Sequence, residues 1–182
     1  MPPKVRISKE DIVTAAVALV RKDGVQAINA RNIASALNCS TQPVFSNFAT
    51  MDDLRNAVVE AADALYREYM QRETESGAYP PYKASGMAYI RFAKEEKELF
   101  KLLYMRDRSA ENIPEQTDTG DQMEAMVLGN TGLDGSDAKL FHLEMWAYVH
   151  GIAAMFATGY LDLDWDLVSK MLTDAYQGLR KR

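Results

Sequence analysis

The chain has 182 residues, of which 47% are hydrophobic and 26% are charged, and its net charge is −5. These values are typical of a soluble globular protein and argue against a disordered, fibrous or repeat protein. The single cysteine, Cys39, excludes an internal disulfide and a zinc site of paired thiolates, and favours a reducing compartment. The N-terminal stretch has no apolar signal core, and no run of about 18 apolar residues occurs, so we expect a cytoplasmic protein.

The charge is unevenly distributed along the chain. Residues 1–50 contain six Lys and Arg residues and three acidic residues, whereas residues 51–182 contain 15 and 23. The N-terminal part therefore carries +3 and the remainder −8. This asymmetry fits an anionic partner for the N-terminal part, and it fits ordinary surface solvation equally well.

The N-terminal region has the sequence signals of three short helices. Apolar residues at helical spacing predict a first helix over 9–22, which Gly24 ends. A second helix is predicted over 30–37 and a third over about 41–47. The N-cap signals of the three helices are Ser8 with Asp11 at the third helical position, Asn29, and Ser40.

The rest of the chain also reads as helical, and no alternating strand pattern occurs. Thr50 and Asp53 form another capping signature, and a polar loop is predicted over 107–119. The predicted helices beyond residue 50 cover about 52–74, 82–95, 97–105, 121–128, 136–158 and 164–179. We therefore predict an all-α fold with about nine helices.

The second and third helices, joined by a tight turn, have the layout of a helix-turn-helix. Over about residues 9–55 the sequence resembles the tetracycline-repressor (TetR) family of transcriptional regulators. The resemblance is carried by Gly24, the segment 30–34, Leu37, Ser40, Phe45, Phe48 and Leu54.

The resemblance implies a homodimer with two functional parts. Residues 1–50 are expected to form a three-helix DNA-binding head, whose third helix enters the major groove. Residues 51–182 are expected to form a helical body for ligand binding and dimerisation, with the fourth helix, about 51–75, as the connector.

The third helix carries the candidate DNA-reading residues. Side chains on the first turn of a helix in the major groove reach base edges. Gln42 can pair with adenine through two hydrogen bonds, and the methyl group of Thr41 can contact a thymine methyl group. Ser40, Ser46 and Asn47 are better placed as phosphate donors, although Ser40 and Ser46 can instead serve as capping and solvated residues.

Three basic residues are further candidates for DNA contact. Lys4 and Arg6 lie on an extended segment before the first helix and can reach phosphates or the minor groove, or belong to a disordered tail. Arg31 lies near the start of the second helix, where a phosphate can meet both the helix N-terminus and the guanidinium.

Two positions depart from the family pattern. The family commonly has Tyr at the position of Phe45 and Lys at that of Met51, and both usual residues contact phosphates. Phe45 and Phe48 are expected chiefly to pack within the head, and a mixed role of packing and DNA contact stays open for Phe45. Fewer phosphate contacts predict a flatter salt dependence, which fits either a subgroup with other contacts or a head that has lost DNA binding.

The C-terminal half contains the segment WAYVHGIAAMFATG, which resembles the Trp-His-Gly pattern of one C-terminal subgroup of these regulators. Its His150 is either a hydrogen-bonded packing residue or a ligand contact. The candidate ligand-binding residues, chosen from the aromatic, methionine and histidine side chains of the body, are Phe100, Tyr104, Met123, Phe141, His142, Met145, Trp146 and Tyr148. An apolar or aromatic effector is expected, with no cofactor and no metal.

Two stripes of residues at steps of three to four predict a dimer interface on the last two helices. The first stripe comprises Ala147, Gly151, Ala154 and Thr158, and the second Val168, Leu172, Ala175 and Leu179. Such stripes also occur on helices buried in a monomer.

The function that these patterns favour is a ligand-responsive repressor that binds a palindromic double-stranded DNA operator as a homodimer. No motif of a nucleophile, a phosphate-binding loop or a metal site indicates an enzyme. The alternative is a regulator fold that acts as a protein-interaction or small-molecule-binding module without specific DNA binding.

Overall fold

The computed structural model describes residues 7–107, 125–129, 131–133 and 135–181. These residues form nine α-helices and one 3-10 turn, and no strand is found among them, which confirms the all-α prediction. The helices are α1 (Lys9–Asp23), α2 (Ala30–Ala36), α3 (Gln42–Asn47), α4 (Met51–Glu75), α5 (Pro81–Glu95), α6 (Lys97–Tyr104), α7 (125–129), α8 (Gly135–Thr158) and α9 (Trp165–Arg180). None of the described helices is long and apolar enough to span a membrane.

The chain divides into two compact units. The first comprises Met1–Leu65 and Glu96–Arg106, and the second comprises Tyr66–Glu95 and Asp107–Arg182. Helix α4 runs from the first unit into the second, and α6 belongs to the first unit with α1 to α3. The predicted division into a DNA-binding part and a ligand-binding part at residue 50 stays a prediction, because the two compact units are defined by contacts between residues and not by function.

Helix α1 is the centre of the first unit and packs against α2, α3 and α6. It begins with a complete capping box, as the sequence predicts: the Ser8 hydroxyl accepts from the Asp11 amide at 3.0 Å, and the Asp11 carboxylate accepts from the Ser8 amide at 2.9 Å. The hydrogen bond from the Ser8 amide is the main reason why the pKa of Asp11 lies below its ordinary value. Ile12, Ala16 and Val20 form the buried face of α1.

The second and third helices begin in different ways. The Asn29 side chain caps α2 by accepting from the Asn32 amide at 2.9 Å. Helix α3 has Thr41 as its N-cap residue, without a side-chain cap bond, so the prediction of Ser40 in that role is wrong. The helix starts one residue later because the Thr41 carbonyl accepts its first backbone bond, from Val44 at 3.1 Å.

Helix α5 is the centre of the second unit and packs against α8 and α9. Gly86 allows this close packing: a Cβ atom at that position would lie 3.0 Å from Leu172 Cδ2 and 3.4 Å from Val149 Cγ2. The Lys83 ammonium joins α5 to α9 by donating to Ser169 Oγ at 2.7 Å and to Thr173 Oγ1 at 2.8 Å.

Candidate functional site

The turn between α2 and α3 is held by the backbone. The amide of Cys39 donates to the Ala34 carbonyl at 2.9 Å, and Asn38 adopts a left-handed conformation with φ of 50°. Val44 and Phe48, four residues apart, are 1% and 4% exposed, so they anchor α3 to the rest of its unit. The opposite face of α3 is left open to solvent.

The open face of α3 carries Gln42, Phe45 and Ser46, all exposed. Phe45 is 59% exposed, so the expectation that it packs within the head is wrong, whereas the expectation for Phe48 is confirmed. The 3.6-residue period explains the difference, because Phe48 follows Val44 by one turn and Phe45 lies about 100° away.

The predicted phosphate donors on α3 are already hydrogen-bonded within the helix. The Ser46 hydroxyl donates to the Gln42 carbonyl at 2.9 Å, and the Asn47 amide group donates to the Pro43 carbonyl at 2.8 Å. Ser40 is exposed just before the helix and Thr41 is half-buried. Ser46 has to give up its bond before it can donate to a phosphate, whereas Asn47 keeps a second N–H.

The basic candidates are only partly described. Arg31 is exposed in the first turn of α2, and Lys4 and Arg6 lie outside the described residues. The Lys9 ammonium, which sequence reasoning treated as a helix-start residue, lies 5.1 Å from the centre of the Phe48 ring. Lys9 therefore adds a cation close to the end of α3, and its position becomes visible only when α1 and α3 are packed together.

Beside Lys9 lies an open groove of about 380 Å³. Its lining residues are Lys9, Asn47, Phe48, Ala49, Asp53, Asn56, Ala57 and Glu60. The Asp53 carboxylate accepts from the Thr50 amide at 2.9 Å and completes the predicted capping box of α4. Because Asp53 and Glu60 repel phosphates, this groove does not fit the DNA backbone.

In the second unit, two Tyr–His pairs join α5 to α8. The Tyr82 hydroxyl lies 3.1 Å from His142 Nδ1, and the Tyr89 hydroxyl lies 2.9 Å from His150 Nδ1. Burial lowers the pKa of each histidine below its ordinary value and raises the pKa of each tyrosine. The pairs therefore favour neutral histidines at neutral pH.

His150 is packed as well as hydrogen-bonded. The Trp146 ring stacks on it, with ring centres 5.1 Å apart and planes inclined by 22°. Trp146 is itself 44% exposed, so this stacked pair lies at the surface of its unit. The geometry fits the expectation of a hydrogen-bonded packing residue, and a ligand role for His150 stays a prediction.

The predicted ligand-binding residues that the structure describes are divided between the two units. Phe100 and Tyr104 are on α6 in the first unit, with ring centres 5.1 Å apart, because α6 is grouped with α1. Met123 lies outside the described residues. Tyr148 is 38% exposed on α8. Phe141 and Met145 are buried in a cluster with Tyr82, Val127 and Ala138, against which Met126, Leu133, Ala175, Tyr176 and Leu179 pack.

The first predicted interface stripe lies largely at the surface. Ala147, Gly151 and Thr158 are exposed and Ala154 is half-buried. Sequence reasoning missed two large apolar side chains on the exposed surface of α8, Leu140 and Leu143, which are exposed by 57% and 59%. Trp146, predicted as a ligand-binding residue, is 44% exposed on the same helix. The exposure of these leucines cannot be read from the sequence, because the helix is apolar nearly all round.

The second predicted stripe faces inward. Val168 and Leu172 are 0% and 2% exposed, so the interface prediction needs correction for these two residues: they pack against the body of their own chain. Ala175 and Leu179 are half-buried against the Phe141 cluster. In the part of the chain that the structure describes, no three His, Cys, Asp or Glu side chains are grouped to hold a metal ion.

Comparison with known proteins identifies similar chains. Residues 82–176 match the family model described as "Tetracyclin repressor-like, C-terminal domain". The uncharacterized HTH-type transcriptional regulator Rv0681 of Mycobacterium tuberculosis is 24% identical over 183 residues, which cover 97% of this chain and 84% of the relative.

Solved structures show the same fold. A TetR-like transcriptional regulator from Rhodococcus sp. RHA1 matches with a TM-score of 0.72 at 16% identity, over 100% of both chains. The multidrug binding protein EbrR, complexed with imidazole, matches with a TM-score of 0.60 at 16% identity, over 92% of this chain and 88% of that one.

Proposed function

The chain belongs to the tetracycline-repressor-like family of transcriptional regulators, and from this premise we propose that it is a ligand-responsive repressor. It binds a palindromic operator as a homodimer and leaves it when a small apolar or aromatic effector binds. The observation that carries the proposal is the open face of α3, anchored from behind by Val44 and Phe48.

In the proposed complex, α3 lies in the major groove. A groove about 12 Å wide admits one helix, and Gln42 at the first position of α3 presents an exposed amide to the bases. Arg31, exposed in the first turn of α2, contributes a phosphate contact. Lys4 and Arg6 are proposed to reach the backbone or the minor groove.

The proposed dimer interface is the exposed surface of α8. Leu143, Trp146, Ala147 and Gly151 recur at steps of three, one and four residues, so they line a common side of the helix. Several large apolar side chains are exposed together on this helix, and their burial against a second copy is favourable. Two-fold symmetry of the protein then matches a palindromic operator.

The proposed effector site is the apolar cluster around Phe141 and Met145. The flexible methionine can repack around ligands of different shape, and the Tyr82–His142 pair offers one polar anchor beside it. The similarity to EbrR, which is described as a multidrug binding protein complexed with imidazole, supports a small aromatic effector.

Release follows from a difference in affinity. An effector that binds more tightly to the conformation that does not fit the operator shifts the population away from DNA. We propose that α4 transmits the change, since it is continuous from the unit with the DNA-binding helices into the unit with the effector cluster.

The test is a titration of labelled duplexes with the purified protein, followed by fluorescence anisotropy. Duplexes from the region upstream of its own gene, or selected from a random pool, are compared with scrambled DNA at two salt concentrations. We expect tight binding that survives scrambled competitor, with two chains per duplex. Equal binding to scrambled DNA, or no binding at low salt, favours instead the interaction module without specific DNA recognition.

A pair of matched variants tests the role of α3. Gln42→Ala is expected to weaken operator binding by about tenfold or more and to relax the base preference at one position of each half-site. Gln177→Ala, the same change at an exposed position of α9, is the control and leaves binding unchanged. Unchanged affinity and base preference in Gln42→Ala contradict the assignment of α3 as the reading helix.

A further inference from the structure

Phe45 is an exposed aromatic residue within the proposed DNA-reading face. Its side chain is 59% exposed, while its neighbours Val44 and Phe48 are buried. Among the described residues the Phe45 ring makes no aromatic or cation contact. Intramolecular packing therefore gives little reason for a large apolar ring at this position.

The surroundings of Phe45 indicate what covers the ring. Gln42 lies three residues earlier and Ser46 is adjacent, so the ring emerges from an otherwise polar face. Ser46 uses its hydroxyl hydrogen on the Gln42 carbonyl, so it presents no free hydrogen-bond donor beside the ring. The face thus offers one amide, from Gln42, and one apolar surface, from Phe45.

The charge of this part of the chain favours a DNA partner over an apolar protein surface. Residues 1–50 carry a net charge of +3, and Arg31 is exposed on α2, the helix that precedes the turn. In the major groove the only apolar group that a base pair presents is the C5 methyl group of thymine. A phenyl ring has no hydrogen bond to offer and complements that group alone.

We propose that Phe45 is a specificity-determining residue that contacts a thymine methyl group in each half-site of the operator. The inference rests on the proposed function, since it requires α3 to lie in the major groove. It gives a specific base contact to a residue for which the sequence predicted chiefly packing within the head.

The experiment replaces single thymines of the operator by deoxyuridine, which differs only by the absence of the methyl group. Operators are first selected from a random duplex pool with the full chain. We expect at least one replacement in each half-site to weaken wild-type binding by about fourfold, the factor that corresponds to burial of one methyl group.

Variants assign this effect to Phe45. Phe45→Ala is expected to bind the thymine and uracil operators equally at that position and to keep the wild-type response at other positions. Val25→Ala removes a side chain that is 45% exposed elsewhere in the same unit, and it retains the full methyl effect. Circular dichroism and thermal unfolding check that both variants fold.

Each alternative outcome is decisive. Specific binding by the wild type with no effect of any thymine replacement overturns the role of Phe45 and leaves the proposed function standing. A second result also overturns it: Phe45→Ala lowers the affinity for the thymine and the uracil operator by the same factor, so that the methyl effect of the wild type is retained. The ring then contacts the sugar-phosphate backbone. A wild type that binds no duplex better than scrambled DNA overturns both proposals.

Discussion

The guanidinium of Arg21 donates two hydrogen bonds of 2.7 Å to the carboxylate of Glu96. Arg21 lies in the last turn of α1, and Glu96 is the residue that separates α5 from α6. This paired geometry is the strong form of an Arg–carboxylate interaction. It ties the first helix of the proposed DNA-binding region to the start of α6 within the first compact unit.

Removal of this ion pair is expected to loosen the contact between α1 and α6. Because the Arg21 side chain is 45% exposed and that of Glu96 is 13% exposed, we expect a coupling of about 1 kcal/mol. A double-mutant cycle of Arg21→Ala and Glu96→Ala, measured by urea unfolding, tests it. Lys22→Ala is the matched control on the same turn, and a coupling energy of zero contradicts the prediction.

Arg31 provides a test of phosphate contact. Arg31→Ala is expected to weaken binding to specific and scrambled duplexes by the same factor, since a phosphate contact carries no sequence information. The slope of the logarithm of affinity against the logarithm of salt concentration should fall by about 0.9 per head. Titrations at several salt concentrations measure it, with Lys139→Ala on α8 as the control. An unchanged slope excludes the contact.

The Tyr89–His150 pair is expected to contribute to the stability of the second unit. Tyr89→Phe removes the hydroxyl that bonds to His150 Nδ1 at 2.9 Å, and the free energy of unfolding should fall by about 1 kcal/mol. Tyr160→Phe is the control, because that side chain is 77% exposed and the same change there should have no effect. Equal stability of the two variants contradicts a structural role for the pair.

The histidines predict the pH dependence of stability. Burial lowers the pKa of His142 and of His150 below the ordinary value of 6.5, so the unfolded chain binds a proton at a higher pH than the folded chain. The free energy of unfolding therefore decreases as the pH falls below about 6.5, until the pH reaches the folded-state pKa values. Urea midpoints at about pH 7.5 and about pH 5.5 measure this loss, which should shrink in the variant His142→Gln/His150→Gln.

Substitution of Gly151 is expected to have opposite effects on the stability of the monomer and on dimerisation. A Cβ atom at this position has no neighbour within 4 Å in the chain, so Gly151→Ala should stabilise α8 by about 1 kcal/mol through helix propensity. In the proposed dimer the added methyl group meets the second copy and weakens association. Analytical ultracentrifugation compares the dimer dissociation constants of the wild type and Gly151→Ala. An unchanged dissociation constant means that Gly151 is not in the interface.

Gly86 serves as the internal contrast to Gly151. Gly86→Ala is expected to lower the free energy of unfolding by about 1 to 3 kcal/mol, because Leu172 and Val149 lie within 3.4 Å of the added atom. The change in the free energy of unfolding should therefore have opposite signs in Gly86→Ala and Gly151→Ala. Urea unfolding, at protein concentrations too low for dimerisation, tests this packing of α5. A gain in stability at Gly86 contradicts it.

Local signals determined the helices of this protein from the sequence alone. The pairs Ser8–Asp11 and Thr50–Asp53 satisfy backbone groups within one turn, so their effect does not depend on the rest of the fold. The resemblance to the tetracycline-repressor family rested on such short-range patterns over residues 9–55, and the match of residues 82–176 confirms the family.

Tertiary structure decided which face of each helix is buried. The apolar steps of Val168 and Leu172 fit an interface or a core equally well, and only the packing of α9 against α5 shows that they are core. Phe45 and Phe48 have the same chemical character, and only the anchoring of α3 through Val44 leaves Phe45 exposed. Periodicity gives the direction of a side chain relative to its own helix, whereas its surroundings depend on residues distant in sequence.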